Sequence, residues 1–317
     1  MTEPSTERRL FREAMDLAIR LQNDPRNEIS IAMVRSWAAR SPEHARAWDR
    51  VARVHGVTGK VLAEERRGAQ AAMPSRRQLL MGGMSVVGLA SVGTIIAPGM
   101  LVQARADHLT DTAEFQRIAL SDGSAMTLGP ASAVTIEITP TRRSIGLLKG
   151  MVFVDAVKDP SRNFSIQCEG VTARTSEAAM NLSEQAGTVS ISVEKGDIEV
   201  NGSHSAPLSA NRLSAGEWLN TDYSGTVLQR GKQDVLQLAG WRDGYLTADR
   251  ETVGAMIAKI ARWLPERVVI ADPWLGSRLV SGVFDTSDPV GAIEAVIRPF
   301  DAKVRVMRPL LIVISAA

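Results

Sequence analysis

The spacing of apolar positions changes three times along this chain. Near the start, Leu10, Ala14, Leu17 and Leu21 recur at helical spacing, and Asn23-Asp24-Pro25 closes that element. Ile31, Val34 and Ala38, with Trp37 beside them, predict a second helix. Ser41-Pro42-Glu43-His44 then supplies an N-cap, a proline suited to the first helical position and an acid in the first turn. The third helix it opens carries Ala45, Trp48, Val51 and Ala52 on one side. The pattern predicts a small all-α bundle within residues 1–72, too short to bury a large core by itself and so dependent on a partner.

The second pattern is an absence of charge. Leu79 to Val102 is a run of 24 uncharged residues, which as a helix rising ~1.5 Å per residue reaches about 36 Å and would cross a hydrocarbon core of ~30 Å. One transmembrane helix at 79–102 is therefore expected, although Gly82, Gly83, Gly88, Gly93 and Pro98 weaken a helix and leave a buried helix of a soluble protein as the alternative. Arg66, Arg67, Arg76 and Arg77 precede the run, while Arg105 is followed by Asp107, Asp111 and Glu114. That asymmetry predicts a single-pass protein with its N-terminus cytoplasmic and its C-terminus across the membrane. Ser75-Arg76-Arg77-Gln78-Leu79-Leu80 resembles a twin-arginine export signal, with Arg76 and Arg77 as its basic pair. Ala104-Arg105-Ala106 has the form of a cleavage site, a competing reading that a leader of this length disfavours.

Beyond the run the period falls to 2. Ile118-Ala119-Leu120 and Ala125-Met126-Thr127-Leu128, joined by an Asp-Gly turn, read as two short strands. Segments 134–138, 144–148, 151–154, 164–166, 189–193 and 198–200 continue the series, with turns expected at Lys149-Gly150 and at Glu194-Lys195-Gly196-Asp197. An all-β domain over 107–230 follows. The last stretch, 241–317, mixes both periods in the order β-α-β-β-α-β-β, its helices at 252–264 and 290–300, and is expected to be a compact α+β domain. The fold class is therefore multidomain: α bundle, transmembrane helix, all-β domain, α+β domain.

Composition narrows the chemistry. Of 317 residues 44% are hydrophobic but only 6 Phe, 2 Tyr and 6 Trp are aromatic, which disfavours stacking platforms for nucleotides or sugars. The single cysteine, Cys168, cannot form an internal disulfide, and the 4 His show no metal-ligand spacing. Asp122-Gly123-Ser124 lacks the surroundings of a nucleophile elbow and reads as a hairpin turn. No catalytic residue, metal or cofactor is assigned, and the chain is not expected to be an enzyme. The net charge of +2 hides a basic segment before the uncharged run and an acidic one after it.

Several motifs resemble the FecR-type transmembrane anti-sigma factors, the inner-membrane sensors of iron-siderophore signalling in Gram-negative bacteria. Trp37-Ala38-Ala39-Arg40-Ser41-Pro42-Glu43-His44-Ala45-Arg46-Ala47-Trp48 is similar to the family's W-x-x-x-S-P-x-H-x-x-A signature. Leu120-Ser121-Asp122-Gly123-Ser124, Leu148-Lys149-Gly150-Met151-Val152-Phe153-Val154 and Arg162-Asn163-Phe164-Ser165-Ile166 match the middle part. Trp241-Arg242-Asp243-Gly244-Tyr245-Leu246 and Leu279-Val280-Ser281-Gly282-Val283-Phe284 match the tail. The resemblance implies that the helices bind an extracytoplasmic-function sigma factor, and that the periplasmic part meets the signalling domain of a TonB-dependent receptor. Periplasmic and intramembrane proteases act on such proteins. The chain departs from members that cleave themselves at Gly-Thr, since Ala173-Arg174-Thr175-Ser176 lacks the glycine.

On this basis Leu17, Leu21, Trp37, Trp48 and Val51 form the apolar set expected to serve sigma binding, with ordinary core packing as the competing role. Strand edges at Leu279, Val280, Ser281, Gly282, Val283 and Phe284, and at 310–315, are expected to meet the receptor. A membrane-tethered DNA-binding regulator and an anchored periplasmic binding protein are the alternatives. Against the former, the mixed surface of Glu43, Arg46, Asp49, Arg50 and Arg53 is a poor recognition face, so no direct nucleic-acid contact is expected.

Overall fold

The computed structural model describes residues 4–23, 27–54, 102–185, 187–202, 211–307 and 311–316. Three helices come first: α1 (Pro4–Asn23), α2 (Glu28–Ala38) and α3 (Pro42–Val54). Asn27 caps α2, its side-chain oxygen accepting from the amides of Ile29 and Ser30. The Ser41 hydroxyl accepts from the amides of Glu43 and His44 and so opens α3. Phe11, Ala14 and Met15 of α1 close on Trp37 of α2 and Val51 of α3.

Thirteen strands follow: β1 (His108–Leu109), β2 (Gln116–Ala119), β3 (Ala125–Leu128), β4 (Ala133–Ile138), β5 (Arg143–Lys149), β6 (Met151–Ala156), β7 (Phe164–Cys168), β8 (Val171–Thr175), β9 (Ala178–Gln185), β10 (Thr188–Gly202), β11 (Asn211–Ser214), β12 (Glu217–Asp222) and β13 (Val227–Lys232). They join in the order β1-β4-β5-β7-β8-β10-β9-β6-β3-β2, with β11 and β12 also on β10 and β13 on β12. Only β5 and β7 run parallel among these neighbours. The long β10 belongs to both halves. Its first part pairs with β9 and β12, its last part with β8 and β11. Between them the register slips at Val193/Lys195, and Gly196 adopts φ +79°, where a Cβ would lie 2.5 Å from the Glu177 carbonyl. A bulge and a glycine thus turn a corner where the sequence predicts a loop. The sheet folds over on itself, and Val134, Ile145, Ile166 and Val200 of one half meet Met126, Val154, Leu182 and Ile191 of the other in one core.

The C-terminal unit runs β14 (Tyr245–Thr252), α4 (Val253–Ile260), β15 (Arg267–Ile270), the short α5 (Pro273–Gly276), β16 (Leu279–Asp285), α6 (Pro289–Ile297), β17 (Ala302–Met307) and β18 (Leu311–Ala316). β14 and β16 pair antiparallel, while β15, β18 and β17 form a second small sheet in that order. Thr252 and Asp288 cap α4 and α6. Met256, Ile257 and Ile260 pack with Ile293, Val296, Ile312 and Ile314, and the same cluster takes in Met151, Phe153 and Ala179 from the outer face of the β domain. The unit is therefore seated on the sandwich by apolar burial.

Two expectations need correction. No helix among the described residues is long and apolar enough to cross a membrane, so the transmembrane helix of the expected fold class is not found. The run 79–102 that suggested it lies, except for Val102, outside the described residues. The second concerns 310–315. Residues 311–315 belong to the central strand β18, flanked on both sides, and the edges of this sheet are β15 and β17.

Candidate functional site

The three parts of the molecule converge on Trp241-Arg242-Asp243-Gly244-Tyr245. Gly244 holds φ +89°, a left-handed value that turns the chain sharply into β14. The Trp241 ring stacks on Phe115 at 6.0 Å, and its Nε1–H donates to Asn181 Oδ1 at 3.0 Å. Arg242 lies 3.5 Å above the Phe153 ring and pairs with Glu194, which sits at the corner of β10. Its pKa is lowered from the ordinary arginine value, chiefly by burial and against the pull of Glu194.

Helix α1 reaches the same place. Arg8 bonds Glu194 at 2.6 Å and Asp243 at 3.5 Å, and Arg12 bonds Asp243 at 2.7 Å. Beneath these charges Phe11 meets Tyr245 at 6.5 Å between ring centres, and the Tyr245 hydroxyl donates to the Leu236 carbonyl at 2.8 Å. Val283 of β16 shares the apolar cluster of α1. From α3, Arg50 reaches Asp234 at 3.5 Å. The helices therefore touch both the strand corner and the C-terminal unit through one mixed apolar and ionic joint.

The residues expected to bind a sigma factor are placed mostly inside. Leu21, Trp37 and Val51 are buried, and Leu17 and Trp48 are half-buried against the same cluster. Trp37 Nε1–H also donates to Glu13 at 3.0 Å. The large apolar side chains that α2 does expose are Ile29, 72% accessible, and Met33, 40% accessible, four residues apart and so on one face. Sequence periodicity marks the buried stripe and passed over them.

The receptor candidates on β16 split by strand alternation. Leu279 is 51% exposed and Ser281 is exposed, its hydroxyl accepting from the Arg250 amide at 2.8 Å. Val280, Gly282, Val283 and Phe284 are buried. The edge strand β17 carries two further exposed apolar residues, Val306 and Met307. Arg76 and Arg77 lie outside the described residues.

Asp122-Gly123-Ser124 proves structural. The Ser124 hydroxyl donates to Asp122 at 2.9 Å and accepts from the Val157 amide at 3.1 Å. Asp122 in turn pairs at 3.2 Å with the fully buried Arg143, which also donates to the carbonyls of Val157, Arg162 and Ser176. Burial pushes the Cys168 thiol up to about 12, so it packs as a small apolar group rather than as a nucleophile. No group of three or more potential metal ligands occurs among the described residues.

Residues 106–199 match the family described as FecR protein. No curated protein matches the chain. Two crystal structures of a candidate anti-sigma factor from Parabacteroides distasonis ATCC 8503, at 1.65 and 2.50 Å, share the fold. The first is 19% identical with a TM-score of 0.60, the second 18% identical with 0.59, and each match covers 66% of this chain and 98% of the other. The resemblance carried by the motifs in the middle of the chain therefore holds over residues 106–199, the part of the β domain that is similar to the FecR family.

Proposed function

We propose that the chain is an anti-sigma factor. Its three N-terminal helices bind an extracytoplasmic-function sigma factor, and its C-terminal unit receives a signal from the signalling domain of a TonB-dependent receptor in iron uptake. The FecR domain at 106–199 carries the reading, set as it is between a helical segment and an α+β unit. Structural likeness to the Parabacteroides distasonis protein supports it. The protein works by binding and performs no reaction.

The outer face of α2 is the sigma-facing surface in this reading. Ile29 and Met33 present large apolar side chains four residues apart, the form in which a helix fills a partner's groove. Leu279 on β16 and the open edge of β17 offer the C-terminal unit a surface for strand addition. The test is capture of the co-encoded sigma factor by the full chain. Wild-type protein should retain it, and Ile29→Asp with Met33→Asp should weaken capture about tenfold or more without changing the melting temperature. Capture undiminished by the double variant removes the α2 surface. No capture by the wild type, or retention of DNA in its place, removes the function.

A further inference from the structure

A cavity of about 160 Å³ lies where the second half of the sandwich meets the C-terminal unit. We propose that it binds one ring of a neutral saccharide. The size suits a single ring, since a cavity of roughly 150 Å³ accommodates benzene. Its walls bring together Asn181 and Ser183 of β9, Asn220 of β12, Gln229 of β13, Gln233 and Thr247. Amide side chains carry both donors and acceptors, which is what a ring of hydroxyl groups requires, each hydroxyl giving one hydrogen bond and accepting others.

Two of the six tryptophans stand in the same wall, Trp218 and Trp241. The low aromatic content of the whole chain argues against a sugar platform, but the local concentration reverses that argument. Both rings are held in place. Trp218 lies opposite Gly231 on β13, where a Cβ would come within 2.7 Å of the indole; Trp241 is fixed by Phe115 and Asn181. A rigid apolar face beside polar groups matches the C–H face and hydroxyl rim of a pyranose.

Of the charged groups in the wall, Glu184, Glu251, Lys259 and Arg262 are already engaged. Lys259 pairs with Glu251 at 2.7 Å. Arg262 donates to Gln185 Oε1 at 3.0 Å and to the carbonyls of Glu184 and Ala131 at 2.7 and 3.3 Å. Glu184 accepts from the Tyr223 hydroxyl, and Asp249 is exposed to water. An ionic ligand would have to break these pairs, whereas a neutral one need not.

The experiment uses the full chain, with no sigma factor present, so its outcome is independent of the anti-sigma reading. Glucose, galactose, N-acetylglucosamine and its β-1,4-linked dimer are titrated at millimolar concentrations, with saturation-transfer NMR as the readout and glutamate and a charged dipeptide as competitors. At least one sugar should bind saturably. Gln229→Ala, an exposed position on β13, should weaken binding about tenfold, and Trp218→Leu should abolish it with circular dichroism unchanged. Should Trp218→Leu fail to fold, Gln229→Ala alone decides. Absence of saturation by all four sugars, equal binding by Gln229→Ala, or preference for the charged ligands overturns the proposal.

Discussion

Arg143 in the sandwich and Arg8 at the joint both face carboxylates, yet they hold the molecule in opposite ways. Arg143 and Asp122 are sealed from water, and three backbone carbonyls take up the remaining guanidinium donors. Arg8 keeps 35% of its side chain exposed while it bridges Glu194 and Asp243. Desolvation makes the first arrangement costly to disturb, because either partner left alone is a buried unpaired charge. Water and salt compete for the second, so its ionic part contributes little beyond orientation. The sandwich is thus a fixed frame, and the helical segment is attached to it by contacts that can be exchanged.

The sharpest way to break this contrast is Arg143→Ala. It should cost about 3–5 kcal/mol, read as a lower urea midpoint by far-ultraviolet circular dichroism; a loss below about 1 kcal/mol, the scale of a surface pair, would make the two arginines equivalent. Phe11→Ala comes next. The ring is buried between α1 and Tyr245, and its removal should cost about 3 kcal/mol. That loss should be confined to the joint. Hydrogen exchange should show faster amides in α1 with β6 and β9 unchanged, whereas uniform acceleration would mean that the helices and the sandwich unfold as one unit.

Asp243→Asn removes the partner of both Arg8 and Arg12 while keeping the shape. The arginines are 35% and 55% exposed, so the expected loss is about 0.5–1 kcal/mol. It should shrink as sodium chloride is raised. A loss that does not respond to salt would place these charges in the same class as Arg143.

These two regions were also unequally legible in the sequence. The hairpin at Asp122-Gly123 and the caps at Ser41 and Asp288 are local chemistry and could be read directly. The corner of β10 could not, because a bulge with a glycine has the same composition as a turn, and only the pairing of its two ends with different strands separates them. Helical periodicity located Trp37 and Val51 but assigns a stripe, not a partner, and so missed Ile29 and Met33, which precede Trp37 on the same i, i+4 row yet stay exposed. Nothing local links Arg8 to Asp243, 235 positions away. The cavity is equally silent, since its walls come from β9, β12, β13 and the C-terminal unit.

The smallest expected effect is a dependence of α1 docking on pH. Asp16 has a pKa raised from the ordinary 3.8, first by desolvation, then by repulsion from the like charge of Asp285 on β16, with Arg20 and Arg12 pulling it down and Glu13 pushing it up. A carboxyl that holds its proton more tightly when folded favours the folded state below its unfolded pKa, and that advantage is lost as pH rises through the folded value. Docking at this point should therefore tighten as the solution is acidified from neutral toward the ordinary aspartate range. Asp16→Asn cannot carry the charge. It should be slightly more stable than wild type at neutral pH, and the gap should close on acidification as Asp16 takes up its proton. The readout is the difference in urea midpoint between the two proteins at each pH, which removes the contributions of the other carboxylates common to both. A difference that stays constant across the series would show that Asp16 does not titrate against Asp285, and would leave Arg8 and Arg12 as the charges that govern the joint.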